Sequence, residues 1–220
     1  MNQDRKRLLS FIAIFLFTLL VITATWLGLK FLDDLKITEI FVSFIVNLIG
    51  IFVGAGLAYW FALNQFEIQS KNLEKKALSD KVFELYDEFN SSGMLRIRSE
   101  AGKLTRQHPN TPAREMYKTE GGEKSLSIWV LARFYEKLWI TIDNQKIDIS
   151  YVPDFFGETF YWWYIVYFKE NLLLYEMQMC TRVGKLKDWF DDNVSNEVVE
   201  RWTKRATESK SKRLERYFLG

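Results

Sequence analysis

The chain has 220 residues, with 30 Lys and Arg against 28 Asp and Glu, and a formal charge of +2 too small to select a partner. One His and one Cys rule out the usual Cys/His zinc sets and any intramolecular disulfide framework, as suits a reducing cytoplasm. No P-loop, GxGxxG or HExxH occurs, so neither an enzyme nor a cofactor is expected.

Leu8–Leu29 and Ile40–Phe61 are each 22 residues without a charge. As helices each would extend about 33 Å, enough for a hydrocarbon core of about 30 Å. Only Lys30–Glu39 separates them, which predicts a transmembrane hairpin over residues 1–65. A cleaved signal peptide is the rival for the first run, since Arg5, Lys6 and Arg7 precede it. The run is longer than a signal requires, and Trp26, Leu27 and Leu29 stand where small residues would be needed. Arg5, Lys6 and Arg7 before the spans, and Lys71, Lys75 and Lys76 after them, predict both termini on the cytoplasmic side of the membrane. Trp26, Tyr59 and Trp60 lie near span ends, where amphipathic rings favour the interface.

The second run carries a distinctive face. Ser43, Asn47, Gly50, Gly54 and Ala58 follow at spacings of 4, 3, 4 and 4, which keeps them on one side of a helix. Small residues let helix backbones approach closely in lipid, and Asn47 is unfavourable against lipid tails. The face is expected to pack on the first span, or on a second copy to form an oligomer, or to line a pore built from several copies.

From Asn64 to Asn90 there is no Pro or Gly, and apolar residues recur at helical spacing. The second span is therefore expected to continue as one helix to Ser91–Gly93, into a cytoplasmic α-helical domain over 66–220. Met94–Gln107 reads as the next helix, broken by His108, Pro109 and Pro112. Thr119–Lys124 reads as a polar loop, and Ser125 or Ser127 as the cap of a helix running to Ile142. A turn at Asp143–Lys146 precedes a short helix from Ser150 ending at Gly157. A long aromatic helix is expected from Glu158 to Met179, packed on Phe134, Tyr135, Leu138 and Trp139. It is too short in charge-free length to be a third span. Helices at Lys185–Asp192 and Asn196–Phe218 close the chain, the second capped by Ser195 or Asn196. The fold class is all-α.

Little chemistry is legible. A Ser-His-Asp triad would have to use His108, in a Pro-flanked loop. Cys180 reads as a buried small residue, and Asp191–Asp192 as a solvated helix end. The last helix is basic, with Arg201, Lys204, Arg205, Lys212 and Arg213 as candidate contacts. Three readings stand: a solvated face, attraction to anionic lipid, or binding of nucleic-acid phosphate.

Residues 131–174 carry a pattern: Leu131, Phe134, Glu136 and Leu138, then a turn, Ile147-Asp148-Ile149, Phe155-Phe156-Gly157 and Trp162-Trp163. This resembles a bacterial membrane-anchored domain family of unknown function, although the Gly usual in the turn is replaced around Asn144-Gln145-Lys146. The architecture also resembles two-helix membrane effectors of antiphage systems, including retrons. That resemblance implies a non-enzymatic toxin, held inactive by a partner such as a reverse transcriptase with its nucleic acid. The alternative is a membrane-anchored adaptor recruiting a cytoplasmic protein.

Overall fold

In the computed structural model the structure describes residues 21–26, 28, 30, 35–120 and 122–219. These residues are predominantly helical and include no strand. The all-α class therefore holds for them. The predicted span Leu8–Leu29 lies largely outside the described residues.

Helix α1, Leu35–Asn90, is 56 residues long. It starts within the predicted connecting loop, five positions before Ile40, because nothing in Leu35–Glu39 opposes helix. Among the described residues it is the helix long and apolar enough to cross a membrane, by length and composition, over Val42–Asn90. The chain divides into two units, Met1–Lys71 and Asn72–Gly220. In the first, the large apolar side chains of Ile51 and Phe66 are 69% and 71% exposed.

In the second unit the last turns of α1 change character. Val82, Leu85 and Phe89, spaced 3 and 4 apart, are buried and face the core. The helix stops at Asn90 because Ser91 caps the next one: its Oγ accepts from the Met94 N–H at 3.2 Å. Helix α2, Ser92–Gln107, ends at His108 before the two prolines. A short α3, Ala113–Thr119, follows Pro112, where the sequence pattern shows no helix. Helix α4, Gly122–Asp143, starts ahead of the predicted caps. Ser125 and Ser127 are buried within it, and Ser125 Oγ donates to the Gly122 carbonyl at 3.2 Å.

Helix α4 is central. It packs on α2, α3 and α7, and Leu131, Ala132, Phe134, Tyr135 and Leu138 are buried along it. Its end is a Schellman turn. The Lys146 N–H donates to the Thr141 carbonyl at 3.0 Å and the Gln145 N–H to that of Ile142 at 2.9 Å, with Gln145 left-handed at φ 53°.

The segment 149–171 corrects the expected pair of helices. It begins with a 3-10 turn, Ile149–Tyr151, capped by Asp148. A π-helical turn, Pro153–Gly157, leads into α5, Glu158–Trp163. A second π turn, Tyr164–Phe168, leads into α6, Lys169–Asn171. Gly157 ends nothing; its backbone is helical. The predicted run to Met179 stops instead at Leu172, where the Leu172 and Leu173 amides share the Phe168 carbonyl at 3.0 and 2.9 Å. Helix α7 covers Gln178–Asn193, starting well before Lys185, and α8 covers Asn196–Leu219.

Rings bind the layers together. Phe89 meets Phe134 at 4.8 Å between centroids, Tyr135 meets Phe160 at 5.1 Å, Phe160 meets Phe190 at 5.3 Å, and Tyr161 meets Trp202 at 5.5 Å. Gly157 permits the last contact: a Cβ there would collide with the Trp202 indole, 2.7 Å from Cζ3.

Candidate functional site

Ser43, Asn47, Gly50, Gly54 and Ala58 are all exposed on one face of α1. A Cβ added at Gly50 or Gly54 would meet no atom within 4 Å. The small residues are thus not demanded by any contact among the described residues, and the face is open. Packing on Leu8–Leu29 concerns residues largely outside the described ones.

The basic candidates on α8 fall into two groups. Arg205 Nη1 donates to Glu158 at 2.7 Å, which ties α8 to α5. Arg201, Lys204 and Lys212 are exposed and have no ion pair among the described residues. The Arg213 side chain lies outside the described ones. Glu197, Glu200 and Glu208 are exposed on the same helix, so its outer surface mixes both signs. Lys210 bonds Glu170 at 2.5 Å and Trp162 Nε1 donates to Ser209 at 3.1 Å, further ties that serve docking. This arrangement suits a solvated face with a structural inner edge.

A cleft of about 410 Å³ lies between the 161–169 segment, α7 and α8. Tyr161, Tyr164, Ile165 and Lys169 form one wall, Lys187 and Asp191 a second, and Asn196, Val199 and Thr203 the third. Asp191 is the organiser: it accepts from the Tyr161 hydroxyl and from the Lys187 ammonium. Its two oxygens are therefore engaged, which corrects the reading of Asp191–Asp192 as a solvated helix end; only Asp192 is exposed. Burial, followed by the bond to Asp191, pushes the Tyr161 hydroxyl well above the usual tyrosine range. Burial also raises Tyr164, against the opposing charge of Lys187. Burial would lower Lys187, but its bond to Asp191 and the charges of Asp191, Tyr164 and Asp188 together raise it. Near neutral pH the cleft therefore holds two protonated phenols and a cationic Lys187, with Lys169 at its wall and Asp191 bonded to Tyr161 and Lys187. None of these is a free nucleophile or base. The Lys187–Asp191 pair is legible as an i,i+4 couple on a helix. Tyr161, 30 residues away, has no local signal.

A second, apolar groove of about 470 Å³ is lined by Tyr117, Leu126, Trp129 and Met177, with Arg114 and Lys118 beside them. The Arg114 guanidinium lies 5.2 Å from the Tyr175 ring centre. Elsewhere, Glu136 is buried between Arg133 and Arg182, at 3.0 and 2.9 Å. His108 Nε2 faces Glu120 at 3.1 Å, and Cys180 is buried with its thiol donating to the Leu172 carbonyl at 3.3 Å. Burial raises that thiol, so it stays protonated. Among the described residues no group of three His, Cys, Asp or Glu side chains is placed to hold a metal. Comparison with protein families, with curated proteins and with solved structures found no match.

Proposed function

We propose that the chain is a non-enzymatic effector of the bacterial inner membrane, in an antiphage or abortive-infection system such as a retron. In this reading Leu8–Leu29 and Ile40–Phe61 form a membrane hairpin with both termini cytoplasmic. A regulatory partner, such as a reverse transcriptase with its nucleic acid, holds the helical unit. Release of that partner lets the Ser43–Ala58 face assemble with copies of itself, and membrane integrity fails. The observation that carries the proposal is α1 itself. It joins an apolar segment with an open small-residue face to the core positions Val82, Leu85 and Phe89 without interruption.

Expression of the chain alone in bacteria should collapse the membrane potential, read with a voltage-sensitive dye. Gly54→Leu should suppress the collapse while the protein still sediments with membranes. An unchanged potential at full expression rejects the effector reading. If a protein partner were still retained after the spans had been replaced by unrelated apolar helices, the adaptor reading would take its place.

A further inference from the structure

We propose that the cleft between the 161–169 segment, α7 and α8 binds a small phosphate monoester. The site is independent of the effector reading, since it lies wholly within the Asn72–Gly220 unit.

The balance of donors and acceptors points to the ligand. The Lys169 and Lys187 ammonium groups, the Tyr164 and Thr203 hydroxyls and the Asn196 amide all line the cleft and can donate. The one carboxylate lining it, Asp191, already has both oxygens occupied by Tyr161 and Lys187. Asp188, whose charge reaches Tyr164 and Lys187, is exposed and does not line the cleft. The two lysines are donor-only, the one carboxylate is engaged, and the hydroxyls and the amide can turn their donors inward, so the cleft complements a ligand that is all acceptor and negatively charged, and a phosphate monoester is both. Lysine ammonium groups serve such oxygens as point charges. Ile165, Val199 and the Tyr164 ring add an apolar surface on which the organic part of the ester can lie. The volume suits a mononucleotide-sized molecule.

The backbone supplies an independent sign. Tyr164 and Ile165 open the π turn Tyr164–Phe168. Such turns are rare and concentrate at functional sites. Lys169 directly follows that turn and lines the cleft together with Ile165, four residues before it.

The test uses the full chain in nanodiscs of zwitterionic lipid, titrated calorimetrically with inorganic phosphate, adenosine monophosphate, glycerol 3-phosphate and adenosine. Phosphate and the two esters should bind saturably and compete. Whichever ester binds tighter separates a nucleotide source from a lipid-headgroup source. Lys169→Ala, at an exposed position that leaves the fold intact, should weaken ester binding about tenfold, and Lys169→Arg should restore most of it. Thr203→Val should weaken it less. No saturable binding of phosphate or either ester at millimolar concentration overturns the proposal. So does adenosine binding as tightly as its monophosphate, or ester binding unchanged in both Lys169→Ala and Thr203→Val.

Discussion

Among the described residues, Tyr135 stands apart from the other buried polar side chains, which have hydrogen-bond partners. Its hydroxyl is buried without a hydrogen-bond partner among the described residues, and burial drives its ionisation far above the usual range. Removing an unsatisfied group relieves a desolvation cost, so Tyr135→Phe should leave stability unchanged or raise it by up to about 1 kcal/mol in urea denaturation. Glu136, its neighbour in sequence, behaves oppositely. Arg182 is the less exposed of its two partners, at 32% against 69% for Arg133. Arg182→Met should therefore destabilise by about 3 kcal/mol, and Arg133→Met by much less, since only the first strips a buried carboxylate of its better-desolvated partner. Gly157→Ala drives a Cβ into the rigid Trp202 ring, and overpacking of this kind costs about 1–3 kcal/mol. Loss of Trp202 burial in a fluorescence emission spectrum would report it.

Among the elements, hydrogen bonds at two junctions set local stability. Asp148 joins α1 to the turn before Ile149–Tyr151: its N–H donates to the Leu78 carbonyl at 3.2 Å, and Ser79 Oγ donates to its carboxylate at 3.2 Å. The Ser150 hydroxyl and amide hold this carboxyl below the usual range against the opposing effect of burial, with smaller contributions from Ser79 and Lys75. A depressed folded-state value means the stabilisation is complete above the unfolded value of about 4 and is lost as pH falls through the folded one. Asp148→Asn should therefore flatten part of the acid limb of a stability-versus-pH curve, leaving the alkaline limb unmoved. At the end of α4, Gln145 holds a left-handed backbone that glycine adopts freely. Gln145→Gly should raise the melting free energy by roughly 1 kcal/mol. The sequence legibly carried α1's continuation to Ser91 and the break after Gln107, because spacing and prolines are local signals. It did not carry the stop at Leu172. Residues 158–179 hold no Pro or Gly, and the chain turns there through tertiary bonds, Asn171 Nδ2 donating to the Pro109 carbonyl at 3.1 Å. Nor did it show the π turns, or that Gly157 is small for Trp202's sake and not for a helix end.

For the molecule as a whole, the open α1 face was legible as a pattern of residue types, whereas the cleft was not, because it draws on three segments brought together only by folding. Val82, Leu85 and Phe89 set a practical limit on dissecting the protein. A fragment starting at Ser92 would discard them and leave Phe134 and Phe156 facing water across a missing wall, so it should aggregate or adopt a molten state. One starting at Asn72 keeps that wall and should unfold cooperatively without detergent, as followed by circular dichroism. The natural place to cut this chain is therefore in the middle of a helix.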